Sequence, residues 1–349
     1  MNDVVHIAYM CSDLSSDYNR HTGAAIASAL ENCSRPAIIH ILYDKLYSDA
    51  NPVEKEREIG KYQSLVQKYD AEIQFHAIDF PEWLNSDHCV MLKQWRRIPF
   101  SAFYLPELLP DVNRVILLES DTIVQTDVSK LLETLPETYS IGGHFCKFSR
   151  FRCFIDCLPG NFLYCFKKLG GNIHEYINGG VVLFNLNRIR NRIPNLSEKA
   201  LDIIWNNQDK LIITDGLLSF IFTNDIFCLD HRFNYEVSGN DNSFSHSISE
   251  SILNDIDGYI LHYCVVKPWD RICSPLDKKY YHYLLLTPWC DEKILDYMFP
   301  AIVTREQYLT AIDEWIWMNF FPQKVKLLLD LSIGQYIKLL KRYLSQIFS

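Results

Sequence analysis

Short apolar segments alternate with longer amphipathic ones along the first 120 residues. The apolar segments are typical of strands buried on both faces, and they cover residues 4–10, 37–43, 71–78 and 115–118. Between them lie three predicted helices: an Ala-rich one at 22–31, a charged one at 52–69 and one at 98–109 that is interrupted near Pro106. This alternation predicts an α/β fold with a mostly parallel central sheet, flanking helices and right-handed crossovers.

The second half of the chain is less regular. Two more strands are predicted at 139–143 and 180–185, and residues 211–222 mix strand and helix signals. A polar run at 238–249 has the composition of a loop. Because 349 residues with 48% hydrophobic content can bury one large core, we expect a single domain at 1–290 and a helical C-terminal extension at 291–349.

Charge and cysteine content exclude several classes of protein. A formal charge of −9 argues against a general nucleic-acid binder. The first ten residues lead into a predicted strand without a basic segment or cleavage site, and no apolar stretch reaches the ~18 residues of a membrane span. The 11 cysteines are irregularly spaced, so we expect no structural zinc and a reducing, cytoplasmic location.

Two carboxylates follow the most apolar strand. Glu119 and Asp121 come directly after residues 115–118, at the carboxyl edge where open α/β sheets bind ligands. Their hard oxygen atoms suit Mg²⁺ or Mn²⁺, ions that commonly bridge a diphosphate. The alternative is that both are solvated turn residues, since two acids separated by one residue are common.

Four segments, taken in order, resemble one enzyme family. They are Ile7-Ala-Tyr with the helix after it, residues 105–124, Tyr176-Ile-Asn-Gly-Gly-Val and Ile260-Leu-His-Tyr-Cys-Val-Val-Lys-Pro-Trp. Together they resemble glycosyltransferase family 8, retaining enzymes of the GT-A fold that include glycogenin-like enzymes and bacterial lipopolysaccharide hexosyltransferases. The resemblance runs from about residue 4 to residue 289. It implies a UDP-sugar donor, a saccharide or glycolipid acceptor and a role such as lipopolysaccharide biosynthesis.

The resemblance also implies roles for residues that would bind the nucleotide sugar. Asp13 would read the uracil edge, Tyr18 would stack on the base and Lys267 would contact phosphate. Ser120 and Gly179 belong to the same group of expected contacts. The segment that supplies an Arg toward the diphosphate in the family lacks one here, and Arg96 or Arg97 is the available substitute.

A metal site and a catalytic segment complete the resemblance. His262 matches a metal ligand and would join Glu119 and Asp121, although a lone His after an apolar strand is often structural. An acid–acid–histidine set favours Mn²⁺ over Mg²⁺, because imidazole is a borderline ligand. The family's Asp-Gln-Asp triplet is reduced to Thr214-Asp-Gly. Asp215, with Asn178, would act on the donor sugar; the alternative is that Asp215 caps a helix.

The C-terminal segment has a charge opposite to that of the rest of the chain. Residues 320–349 hold five basic residues and one acidic residue, a formal charge of +4 that leaves −13 on the remainder. Leu, Ile, Tyr and Phe recur there at helical spacing, which predicts an amphipathic helix on the cytoplasmic face of a membrane. The alternative is a terminal helix packed on the core or on another subunit.

These observations support two hypotheses about function. The first is a hexosyltransferase that uses a UDP-sugar and Mn²⁺. The second is a catalytically impaired nucleotide-sugar or glycan-binding protein of the same fold, which the altered triplet and the missing Arg favour and the intact metal set opposes.

Overall fold

The computed structural model describes residues 4–85, 92, 96–145, 166–207, 214–237, 257–264, 267–270 and 276–290. The predicted loop at 238–249, the start of the 211–222 segment and the extension at 291–349 lie outside these ranges. Across the described ranges, no helix combines the length and the apolar character needed to cross a membrane.

A seven-stranded sheet forms the centre of the fold, in the order β3-β2-β1-β4-β7-β6-β8. Among the described strands of this sheet, β7 is antiparallel to its neighbours β4 and β6, and the other pairs are parallel. The prediction of a mostly parallel α/β sheet is therefore confirmed. The strand bounds are β1 Val5–Cys11, β2 Ala37–Asp44, β3 Glu72–Ile78, β4 Arg114–Leu118, β6 Ile141–Phe145, β7 Ile177–Asn185 and β8 Ile226–Cys228.

Helices cover both faces of the sheet. The described α-helices are α1 Asn19–Glu31, α2 Lys45–Ser48, α3 Pro52–Gln67, α4 Leu105–Leu108, α5 Val128–Glu133, α6 Leu186–Arg192, α7 Leu196–Trp205, α8 Thr214–Ile221 and α9 Asp277–Leu284. Residues Ile98–Tyr104 form a 3₁₀-helix, and α4 begins only at Leu105, with Pro106 in its first turn. The ambiguous 211–222 segment is helical where it is described.

A second, three-stranded sheet joins distant parts of the chain. It consists of β5 (Thr122–Val124), β10 (Ile260–His262) and β9 (Tyr235–Glu236), in the order β5-β10-β9. β10 pairs antiparallel with β5 and parallel with β9, which places His262 opposite Thr122 and Glu236. This small sheet brings β10 beside the turn that follows β4.

The last described segment packs on the first helix. The ring of Trp289 lies so close to Gly23 of α1 that a Cβ atom there would be 2.5 Å from it. The Tyr280 hydroxyl of α9 lies 2.6 Å from Nδ1 of His21, and the Trp289 indole N–H donates to buried Glu58. Residues 276–290 therefore belong to the same core as the N-terminal strands.

Candidate active site

The turn between β4 and β5 carries two of the predicted metal ligands, and β10 carries the third. Nε2 of His262 lies 3.3 Å from Oε2 of Glu119 and 3.4 Å from Oδ1 of Asp121. One ligand atom from each residue falls within 4.8 Å of the other two. The Tyr263 N–H donates to the Asp121 carbonyl over 3.0 Å, so the backbone holds the turn against β10. The structure thus brings the three predicted ligands together.

The chemistry of this cluster suits a divalent cation. Oδ1 of Asp121 is buried and has no hydrogen-bond partner among the described residues, and such an atom is costly unless something binds it. Nδ1 of His262 lies 2.8 Å from Oδ1 of Asn234. An amide oxygen only accepts, so Nδ1 carries the proton and Nε2 faces the carboxylates, as in oriented metal-binding histidines.

Lys267 reaches the same carboxylate. Its ammonium group pairs with Asp121 and donates to the carbonyls of Tyr263 and Cys264 over 2.6 and 3.1 Å. Burial favours the protonated form of Asp121, but the charges of Lys267 and His262 outweigh burial and hold the pKa of its carboxyl well below the usual value. Asp121 is therefore an anion held between two cationic groups.

Two glycines of β7 give room to two site residues. A Cβ atom at Gly180 would lie 2.2 Å from the His262 ring, and one at Gly179 would lie 2.3 Å from Oδ1 of Asp215. The contact of Gly179 with the nucleotide sugar stays a prediction. In the structure, the space beside the two glycines holds the side chains of His262 and Asp215.

Asp215 lies in the first turn of α8, with its carboxylate turned toward β7. Burial comes first, and the charge of Glu119 second, in raising the pKa of Asp215 to about 7, although the Gly179 N–H opposes the shift. A carboxyl with such a pKa can hold or release a proton near neutrality. The carboxylate of Asp215 thus lies beside β7, and its action on the donor sugar stays a prediction.

Asn178 connects several residues of the site through hydrogen bonds. Its amide nitrogen donates to Oε1 of Glu236 over 2.9 Å, and its amide oxygen accepts from Gly180 N–H and from Asn234 over 2.9 and 3.0 Å. These bonds connect β7, β9 and the His262 partner. The prediction that Asn178 contacts the sugar stays a prediction, because its amide is already bonded within the protein.

Three residues near the start of α1 and in the β4–β5 turn are predicted to contact the nucleotide sugar. Tyr18 precedes α1, and 43% of the residue is exposed. The Asp13 carboxylate accepts from the N–H and hydroxyl of Ser15. The Ser120 hydroxyl bonds within the fold, 2.8 Å from that of Thr22, and its contact with the nucleotide sugar stays a prediction.

The two candidate arginines have different environments. Arg97 forms a buried two-point ion pair with Asp44, at 2.6 and 2.9 Å, so the Asp44 carboxylate already balances its charge. Arg96 adopts a positive φ of 54° and lies 3.7 Å from Asp13 and over the ring of Tyr47. Arg96 is therefore the one of the two that remains near the predicted nucleotide residues.

Solved structures show which fold this protein has. It resembles the galactosyltransferase LgtC, solved with donor and acceptor sugar analogues, with a TM-score of 0.60 and 18% identity over 84% of this chain and 100% of LgtC. It resembles the bifunctional glycosyltransferase WbbM with the same TM-score and 15% identity over 85% of this chain, but it covers only 52% of WbbM. The fold is therefore that of the GT-A glycosyltransferases.

Sequence comparison gives the family. The family described as "Glycosyl transferase family 8" matches residues 7–273, and this chain belongs to it. Among curated relatives, probable galacturonosyltransferase-like 6 of Arabidopsis thaliana is 27% identical over 251 residues, which is 68% of this chain and 67% of the relative. The predicted family is confirmed.

Proposed function

We propose that this protein transfers a hexose from a UDP-sugar to a saccharide or glycolipid acceptor, with retention and with the help of Mn²⁺. The observation that carries the proposal is the cluster of Glu119, Asp121 and His262, with an unbonded buried oxygen on Asp121. Membership of glycosyl transferase family 8 supports the reaction class. The donor, the acceptor and the ion are our inference from the site chemistry.

In this proposal the cluster holds the donor diphosphate. A bound Mn²⁺ would offset the charge of the leaving UDP. Lys267, which now pairs with Asp121, would turn to a phosphate oxygen when a cation takes over that carboxylate. Tyr18, Asp13 and Arg96 would bind the uridine side.

The sugar would lie beside Gly179 and Asp215. Retention requires that the bond from the anomeric carbon to UDP breaks and the bond to the acceptor oxygen forms on the same face. In one route the acceptor proton passes to the leaving diphosphate, and Asp215 orients the sugar. In the other, the Asp215 carboxylate would displace UDP from the anomeric carbon; the acceptor oxygen would then displace Asp215 from the same carbon and pass its proton to the UDP diphosphate.

The rival proposal is a binding protein without turnover. Two observations favour it: Asp215 is the one acid left from the family triplet, and the amide of Asn178 is bonded within the protein. A transferase and a nucleotide-sugar-binding protein both require UDP-sugar binding, so turnover separates these two; a glycan-binding protein requires no UDP-sugar.

The deciding experiment incubates the purified full-length protein with Mn²⁺ and a panel of UDP-sugars and measures UDP release. Release that stops with excess chelator, and that speeds up when a saccharide acceptor is added, supports the transferase. Metal-dependent binding of UDP-sugars without release would support the rival. Failure to bind any UDP-sugar would reject the transferase and leave only the glycan-binding form of the rival.

We also propose that residues 320–349 attach the protein to an anionic membrane surface in the cytoplasm. The support is their +4 formal charge and their apolar helical spacing. This would place the enzyme beside a glycolipid acceptor.

A further inference from the structure

Asn234 is a buried amide beside a predicted metal ligand, and the motifs did not indicate it. It ends the 3₁₀-helix His231–Asn234, directly before β9, and only 1% of the residue is exposed. Its amide oxygen lies 2.8 Å from Nδ1 of His262. Its amide nitrogen donates to the main-chain carbonyl and to Oδ1 of Asn178, over 3.1 and 3.0 Å. Both polar atoms of the Asn234 side chain are therefore bonded inside the protein.

Main-chain groups of β7 fix the orientation of this amide and of its neighbour. The carbonyl oxygen of Asn178 can only accept, so the nitrogen of Asn234 must face it and the oxygen must face His262. The Gly180 N–H can only donate, so it faces the amide oxygen of Asn178 over 2.9 Å. The nitrogen of Asn178 then donates to Glu236 over 2.9 Å. Neither amide can be reversed without opposing two acceptors or two donors.

This orientation decides which nitrogen of His262 a cation can reach. The Asn234 oxygen needs a donor, which places a proton on Nδ1 of the ring. The lone pair of a neutral imidazole then lies on Nε2, which is 3.3 Å from Glu119 and 3.4 Å from Asp121. Gly180 allows the ring to lie against β7, since a Cβ atom there would be 2.2 Å from it.

We infer that Asn234 and Asn178 are positioning residues of the metal site, which hold the Nε2 lone pair of His262 toward the two carboxylates. The inference rests on the proposed function, which puts a divalent cation in this cluster. Hydrogen-bond partners of metal-binding histidines commonly change the metal affinity by about 10- to 100-fold. The inference gives Asn178 a role that is independent of the sugar contact predicted from the sequence.

The test titrates Mn²⁺ into metal-free, full-length protein without nucleotide, and electron paramagnetic resonance measures the free ion. Asn234→Leu has a similar volume but no polar atoms, and it should weaken Mn²⁺ binding by ~10-fold or more. Asn234→Asp keeps an acceptor oxygen for Nδ1 of His262 and should recover most of that loss. The matched control is Asn185→Leu, which removes a buried amide at the other end of β7 and should bind Mn²⁺ as the wild type does.

The outcomes separate the inference from the proposed function. If the wild type binds Mn²⁺ and Asn234→Leu binds it equally well, the inference is overturned and the proposed function stands. An equal loss in Asn234→Leu and Asn234→Asp, or in Asn185→Leu, would show a general structural effect and would also overturn it. If the wild type binds no Mn²⁺, the metal role in the proposed function fails and the inference fails with it. Circular dichroism checks folding; should Asn234→Leu not fold, Asn234→Ser, whose shorter side chain withdraws the acceptor, takes its place.

Discussion

At the scale of single residues, Asp121 is the point where several interactions compete. Its two carboxylate oxygens differ: one pairs with Lys267, and the other is buried without a hydrogen bond, 3.4 Å from His262. A cation bound by Glu119, Asp121 and His262 would satisfy that second oxygen. Burial opposes protonation of His262, but the neighbouring Cys264 and Asp121 outweigh it and raise the pKa of the ring well above its usual value. A proton on Nε2 and a metal ion are therefore alternatives.

The first prediction concerns Asp121. Asp121→Ala should weaken UDP binding in Mn²⁺ by ~100-fold or more, because it removes the buried carboxylate ligand of the cluster. Calorimetry with Mn²⁺ and with excess chelator measures the effect. Asp17→Asn, an exposed acid near Tyr18, is the control and should bind UDP normally. Wild-type affinity that is the same with and without chelator would contradict a metal role.

The second prediction concerns Asp215. Asp215→Asn removes the ionisable group but keeps an oxygen that can accept from Gly179. It should lower turnover by at least ~10-fold, about 1.4 kcal/mol of barrier, with little change in UDP affinity, as for a group that acts in the transition state. Exposed Asp202→Asn on α7 is the control. Unchanged turnover in Asp215→Asn would show that the role of Asp215 is structural.

The sequence could indicate the acids of this site but not its full connectivity. Glu119 and Asp121 were predictable because charge directly follows a buried strand, and His262 required the resemblance. Glu236 and Asn234 were missed, since a two-residue strand has no periodicity and their partners lie 26 to 58 residues away. An acid between aromatic Tyr235 and apolar Val237 was the only signal.

At the scale of elements, three adjacent strands carry a row of histidines. Nδ1 of His6 on β1 lies 2.9 Å from Nε2 of His40 on β2, and Nδ1 of His40 lies 3.0 Å from Nε2 of His76 on β3. When all three rings are neutral, each shared N–H has an acceptor. Burial, followed by the neighbouring rings, lowers the pKa of His40 to about 3. The arrangement of these three rings at the edge of the sheet thus favours their uncharged forms.

The third prediction is an acid-sensitive stability. His40 binds a proton in the unfolded chain below its ordinary pKa of 6.5 but not in the folded chain until about pH 3, so stability is complete above 6.5 and falls as pH decreases below it. From pH 7.5 to 5.5 this residue should cost about 1 kcal/mol of unfolding free energy.

Urea unfolding at the two pH values measures that loss. His40→Gln should reduce the pH dependence by about 1 kcal/mol, whatever it does to stability at pH 7.5. The control is His282→Gln, at an exposed position of α9, which should leave the pH dependence as in the wild type. A pH dependence equal in wild type and His40→Gln would show that the row is indifferent to protonation.

Most elements of the sheet could be predicted because their strands are short, apolar and separated by clear helical patterns. β7 illustrates the limit. Its burial on both faces was readable, but its reversed direction depends on the connection through residues 146–176, which carries no periodic signal. It also extends back to Ile177, because Ile177 and Asn178 pair with Phe145 and His144 beyond an irregularity at Gly143. Hydrophobic patterns do not encode such pairing.

At the scale of the whole molecule, charge is unevenly distributed along the chain. Residues 320–349 carry +4 and the remainder −13. A basic segment on an acidic body can be attracted to that body or to an anionic surface elsewhere. Salt weakens both attractions, but only a membrane also takes up the apolar side of an amphipathic helix.

The fourth prediction follows from that difference. Full-length protein should sediment with vesicles of phosphatidylcholine and phosphatidylserine but not with phosphatidylcholine alone, each basic side chain contributing roughly 1 kcal/mol at low salt. Deleting residues 320–349 should release the protein while UDP binding persists. Replacing Lys338, Lys341 and Arg342 by Gln should remove the salt-dependent part of the binding and keep a weaker apolar part.

The matched control replaces exposed Lys130, Lys167 and Lys168 of the body and should sediment as the wild type does. Indifference of the full-length protein to anionic vesicles would contradict membrane attachment. Loss of UDP binding on deletion would instead assign the segment to the core or to a subunit contact, and the argument for a membrane-borne acceptor would then lose its support.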